Sequence, residues 1–266
     1  MVSTNKGDSN QLDLLKSKST QNSNEKIIVK NSYQENKEVQ KIESLLILDT
    51  ETSGLDEEEN ELIEIGCILF HVSSRTILSQ LSFLLPVSIN QAEDINGIAA
   101  EITHYRQPWK DGINFFLKLV ETSDLIVAHN VEFDKKWFGI GKLPVLNKKW
   151  ICSLEDINWS FVKGLRARPS VTDLALAFKI PVWNLHRALS DCYYISEVFK
   201  RCENLEELLL KASEPRFLFK AIVSYEQREL AKQAGFRWNQ PVQGAWTKKM
   251  SKDEASALDF KVLLLD

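Results

Sequence analysis

The segment Ser44–Glu51, SLLILDTE, constrains this chain more than any other. Four consecutive large apolar residues that give way to two acids predict a central strand covered on both faces, with a polar end that reaches solvent or a ligand. ELIEIGCILFHV and RTILSQLSFLLPV predict two more strands, the last closed by Pro86, so the first three strands form a meander. DEEENE between the first two reads as a solvated acidic turn.

Beyond the meander the texture alternates. NGIAAEIT and the segment from Trp109 through GINFFLKLVETS predict helices, the second with Ile113, Phe116, Leu117 and Val120 on one face. DLIVAHN predicts a short strand and VEFDKKWFGIG the helix launched from it, stopped by Gly139 and Gly141. KKWICSLED predicts a strand. SVTDLALAFKI predicts a helix capped by Ser170 and ended before Pro181, and HRALSDCYYISEVFKRCENL one long amphipathic helix. Strands first and alternation afterwards imply an α/β fold with a mixed sheet flanked by helices.

Residues 1–41 are of different composition, rich in Ser, Asn, Gln, Lys and Glu, and predict a disordered polar tail. The core domain is expected over 42–210. Pro215 and the polar KASEP segment predict a linker to a small α+β unit at 211–266. There SYEQRELAKQAG reads as a helix with a Ser224/Gln227 capping box and Gly235 as its stop, FRW and AWTKK as strands around NQPVQG, and Ser251/Glu254 as the box of a last helix.

Composition excludes several classes. With 33 Lys+Arg against 37 Asp+Glu the chain carries a net charge of −4, so contact with nucleic acid has to use local patches rather than bulk charge. No stretch approaches the ~20 apolar residues of a membrane span, and the N-terminal residues lack the apolar centre of a secretory signal. Cys67, Cys152, Cys192 and Cys202 are widely spaced without a CxxC pair. They predict buried free thiols and a reducing, cytoplasmic setting rather than a zinc knuckle or a disulfide framework.

Three clusters carry the chemistry. Asp49 and Glu51 end the first strand and share a face, where two like charges repel unless a cation neutralises them. AHNVEFD puts His129 and Asn130 at a strand end and Asp134 one helical turn on. HRALSDC puts His186 and Asp191 five residues apart near a helix start. Four carboxylates and an imidazole at the ends of such elements can converge on one crevice of an α/β sheet.

DTETSGL, HNVEFD and HRALSD, in this order, resemble the three motifs of the DEDDh (DnaQ-like) 3′-5′ exonucleases, over roughly residues 44 to 203. The resemblance implies a ribonuclease H-like fold and metal-dependent hydrolysis of the terminal phosphodiester at a free 3′ end. DNA is the expected substrate, with nucleoside monophosphates released. A 3′-5′ exoribonuclease of the trimming or oligoribonuclease type is the alternative within the family, and a binding module without chemistry the alternative outside it. The implied cofactor is a pair of Mg²⁺ or Mn²⁺ ions. By the resemblance Asp49 bridges them, Glu51 and Asp191 hold the nucleophile-side ion, and Asp134 serves the other. His186 is the general base, suited to that task near neutral pH. Thr52, Ser53, Gly54 and Leu55 are expected to cradle the terminal nucleotide, with Leu55 as a wedge. His129 and Asn130 are expected near substrate, Asn130 orienting the second motif, with a structural role at the strand end the alternative for His129. A DNA polymerase or repair complex is the expected macromolecular partner.

Other residues carry weaker signals. Lys148, Lys149, Lys163, Arg166 and Arg168 are candidate phosphate contacts, the last three in a loop beside the third motif. His71 and His104 read as structural, and Phe133 and Trp137 as core. In the C-terminal unit Trp238 and Trp246 are expected to build a small core. Arg237, Lys248 and Lys249 are expected to form a rim that contacts nucleic acid, with protein docking as the rival role.

Overall fold

The structure is a computed structural model that describes residues 41–265, so the expected tail lies outside the described residues except for Lys41. Strands β1 (Ser44–Thr52), β2 (Leu62–His71) and β3 (Thr76–Leu84) form the predicted antiparallel meander. The segment NGIAAEIT, expected to be helical, forms only a 3₁₀ turn at Ala100–His104, and a short helix α1 (Glu93–Asn96) precedes it. Helix α2 (Trp109–Thr122) then returns the chain to β4 (Leu125–Ala128), parallel to β1. Helix α3 is short (Val131–Lys135), because the chain passes into turns before Gly139. Strand β5 (Trp150–Cys152) completes a mixed sheet in the order β3-β2-β1-β4-β5.

Helix α4 (Val171–Ala177) carries a full capping box of Ser170 and Asp173. The long helix expected over 186–205 is α5 (Ala188–Arg201), shorter at both ends, and a separate helix α6 (Leu205–Ala212) follows it. Two features explain the difference. At the start, His186 adopts a left-handed conformation (φ 58°) and Arg187 is extended. At the break, the Arg75 guanidinium donates to the carbonyls of Cys202 (3.2 Å) and Glu203 (3.4 Å) and so caps the end of α5.

The core is layered as the central strand requires. Leu45 and Ile47 of β1 pack with Cys192, Ile195 and Phe199 of α5, whereas Leu46 and Leu48 pack with Phe116 and Leu119 of α2. Each fully buried Leu or Ile contributes about 2 kcal/mol, which fixes β1 firmly enough to hold its polar end in place. All four cysteines are buried free thiols, as expected. Among the described residues no helix is long and apolar enough to cross a membrane.

A second, antiparallel sheet follows. It contains β6 (Phe217–Ala221), helix α7 (Arg228–Gln233), β7 (Arg237–Trp238), β8 (Trp246–Met250), helix α8 (Lys252–Ser256) and β9 (Val262–Leu264), with strand order β7-β8-β6-β9. Strands β6 and β9 are additional to the two strands expected in this unit. The Ser251/Glu254 box is present, but Ser224 does not cap α7. A turn with bonds from Gln227 N to Ser224 O and from Arg228 N to Tyr225 O intervenes, and delays the helix to Arg228. The core here is Phe219, Ala231, Phe236 and Met250, with Trp246 packed partly against it. Trp238 stays 50% exposed, contrary to the expectation that both tryptophans build the core, because β7 is a two-residue edge strand that leaves its ring beyond the packed layer.

The expected linker is a structured junction. Helix α6 runs through Ala212, and the largely covered side chain of Arg216 lies between the turn after β5 and helix α8. Its guanidinium lies 2.8 Å from both Asp156 and Glu254. Lys249 of β8 pairs with Glu132 of α3 at 3.2 Å.

Candidate active site

Alternation along β1 sends Asp49 and Glu51 to the same face as Ile47, the face covered by α5. The acids meet α5 because of a glycine on the neighbouring strand. Gly66 pairs with Asp49 across β1 and β2, and a Cβ there would lie 2.3 Å from the carbonyl carbon of Ala188 and the nitrogen of Leu189. Only a residue without a side chain lets the first turn of α5 rest on β2. One turn on, Cys192 Sγ reaches the carbonyls of Ile47 (3.5 Å) and Gly66 (3.3 Å). Asp191 is thereby delivered to the strand end, where Asp49, Glu51 and Asp191 each offer an oxygen within 4.8 Å of the others.

This grouping is electrostatically unfavourable by itself. Burial, followed by the charges of Asp134, Asp191, Glu51 and Glu64, holds the Asp49 carboxyl well above its ordinary value. Burial and the neighbouring carboxylates push Glu51 up to about 8. Burial raises Asp191 to about 6, with His186 acting in the opposite direction. Asp191 Oδ1 is buried with no hydrogen-bond partner. Three converging carboxylates, one with an oxygen left unmatched, fit a hard divalent cation, which takes oxygen ligands and cancels the repulsion.

Asp134 arrives from the other side of β1. Asn130 takes the left-handed conformation (φ 78°) that asparagine tolerates, and this turns the chain into α3. Asp134 is buried there, raised to about 7 by burial, and accepts a 2.8 Å hydrogen bond from Thr50 Oγ1. It raises Asp49 electrostatically but lies outside the three-oxygen group. His186 is exposed in the turn before α5.

The turn after β1 is tightly held. Thr52 Oγ1 donates to the Gly54 carbonyl at 2.6 Å, the Ser53 carbonyl accepts from Gln91 N, and Asn96 donates to the Thr52 carbonyl. Gly54 makes room for Asn60, whose amide oxygen would lie 2.3 Å from an added Cβ. Lys136 bonds the Leu55 carbonyl at 2.5 Å, and the Leu55 side chain projects with 77% exposure.

Most of the remaining candidates have protein partners. His129 is pushed down to about 4 by burial and shares a 2.9 Å hydrogen bond with Ser153. Arg166 pairs with Asp173 of the α4 capping box, and Arg168 with Glu155. Lys148 and Lys149 donate to main-chain carbonyls at Ser123 and Ser213, and Lys163 is exposed. Trp137 is core, as expected. His71 bonds Ser74, and His104 bonds the Val87 carbonyl.

One residue was missed from sequence. Glu64 of β2, opposite Glu51, is 1% exposed and receives Arg187 through both oxygens at 2.9 and 3.0 Å. Ser82 Oγ and the Ala188 amide complete its shell. This buried acid therefore fixes the start of α5, and with it the turn that carries His186. The available signal was Glu64 itself, a charge inside an otherwise apolar strand.

Residues 46–199 match the family described as Exonuclease, more than half of the chain. The chain belongs to the exonuclease family. A curated relative, DNA polymerase III subunit epsilon of Rickettsia prowazekii, is 32% identical over 168 residues, covering 58% of this chain and 71% of the relative. A PolC-type DNA polymerase III of Thermotoga petrophila is 28% identical over 178 residues, and there the chain spans only 12% of the relative's length. Among solved structures, the zinc-bound complex of E. coli exonuclease I with single-stranded DNA superposes with a TM-score of 0.54 at 17% identity. It covers 72% of this chain and 50% of that one. The expected ribonuclease H-like α/β fold, with a separate small sheet, is thus borne out. Residues 217–265 match a domain of unknown function (DUF8626).

Proposed function

We propose that this exonuclease-family chain removes mononucleotides from the 3′ end of DNA by metal-dependent hydrolysis, with His186 as general base. The convergence of Asp49, Glu51 and Asp191 within 4.8 Å carries this reading. Those three residues would hold a divalent ion, Mg²⁺ or Mn²⁺, and Asp134 would serve a second. When bound, such ions lower the pKa of water and offset charge at the phosphate. A ring nitrogen of the exposed His186, placed by its turn beside Asp191, takes the proton from the attacking water. Glu64 holds that turn through Arg187 and Ala188. Leu55 wedges against the terminal base, backed by the Thr52–Gly54 turn. The polymerase III epsilon relative favours DNA over RNA as substrate, and a polymerase as partner.

The test is digestion of an end-labelled oligonucleotide in Mg²⁺, with a matched RNA strand in parallel. Asp49→Asn or EDTA is expected to slow mononucleotide release about a thousandfold or more, since several kcal/mol of transition-state stabilisation are removed. Undiminished release in either arm would refute the metal mechanism, and faster digestion of RNA would reassign the substrate.

A further inference from the structure

A hollow lies beside strands β7 and β8 of the small sheet. It has a volume of about 440 Å³ and is lined by Val223, Ser224, Tyr225, Arg228, Trp238 and Trp246. Trp238 and Trp246 face each other across β7 and β8, with centroids 5.5 Å apart and planes tilted by 52°. Tyr225 is 74% exposed, and the Arg228 guanidinium lies 3.9 Å over its ring while donating to its carbonyl at 2.7 Å. The fold does not need these rings outside, because Phe219, Phe236 and Met250 already fill the core of this unit. Clustered exposed aromatic surface on a folded domain marks a binding site.

The charges select the ligand. Residues 217–265 hold eight lysines and arginines against five aspartates and glutamates, a positive module in a chain of net charge −4. The wall of the hollow carries one charge, Arg228, and no carboxylate. An ammonium ligand would find a cation where it needs an anion, so the wall suits flat rings joined to negative groups. We propose that this hollow stacks the bases of a single-stranded nucleic acid on Trp238 and Tyr225, with Arg228 meeting the backbone phosphate. A duplex hides its base faces and cannot be held in this way.

Binding here needs no hydrolysis, so the proposal survives a failure of the exonuclease reading. The test uses the full chain in EDTA and follows the anisotropy of labelled dT15, rU15 and a blunt duplex. Trp238→Ala and Tyr225→Ala are each expected to weaken single-strand binding roughly tenfold, the size of one lost stack, while Trp238→Phe stays near wild type. The half-buried Arg228→Glu, which leaves the core intact, should weaken binding and flatten its salt dependence. Duplex affinity should not change. Equal single-strand affinity in all variants would overturn the proposal. So would tryptophan quenching by a proline-rich peptide but not by dT15, which would assign the hollow to a protein ligand.

Discussion

The two sheets place their exposed chemistry under opposite conditions. At the end of β1, carboxylates are crowded against one another and held by buried neighbours, Gly66 beneath Ala188 and Glu64 beneath Arg187. At the end of the small sheet, Tyr225 and Trp238 stand half or more exposed, with only a turn and an edge strand to place them. The first arrangement stores repulsion that a cation can release, so its geometry has to be enforced from below. The second stores exposed apolar surface, which any flat ring can cover without exact placement. Substitutions beneath the acids should therefore be costly, and those around the rings cheap.

The sharpest way to break this contrast is Gly66→Ala. The new methyl group collides with the backbone of α5 and is expected to cost about 2–3 kcal/mol, a drop of several degrees in Tm, together with most of the nuclease activity. A thermal melt and a digestion assay check both, and an unchanged Tm would show that α5 is not pinned by that contact. Glu64→Ala comes next. It strands Arg187, which is partly exposed, so a stability loss of only about 1–2 kcal/mol is expected. Because Glu64 positions rather than reacts, kcat should fall about tenfold with KM nearly constant, and Glu64→Gln should recover part of it. Equal losses for Ala and Gln would reduce Glu64 to a charge effect.

The third effect is the dependence on pH. In metal-free protein Glu51 is raised from an ordinary 4.5 to about 8, so the folded state retains a proton that the unfolded chain releases. The stability this confers is complete below about pH 4.5 and is lost as pH rises through 8. In EDTA the Tm should fall by a few degrees between pH 5 and 8, and Mg²⁺ should raise it most at the alkaline end. A flat profile would show that burial and the neighbouring carboxylates do not hold a proton on Glu51.

The sequence made the large sheet legible because its signals are local. The apolar run before Asp49 defines a strand by itself, and the Ser170 and Ser251 caps follow from spacing. What escaped depends on partners distant in the chain. Arg75 ends α5 from more than a hundred residues away, and no helical periodicity reveals it. Glu64 looked like a polar interruption of β2 until Arg187 stood against it. Trp238 looked like core because small domains hide their tryptophans, but the shortness of β7 left it outside. The candidate cations Arg166 and Arg168 were equally ambiguous, since a loop arginine reads the same whether it meets a phosphate or a neighbouring carboxylate.

Arg216 has a consequence for how such proteins can be assembled by recombination. Its side chain is only 10% exposed, with Asp156 of the nuclease portion on one side and Glu254 of the small unit on the other. Grafting the module onto a different enzyme means carrying this arginine along and finding an acceptor acid on the new host. Excising it leaves Asp156 without its counter-charge on the nuclease. The junction behaves as a key cut for one lock, which restricts exchange of the appendage to hosts that already present a matching anion.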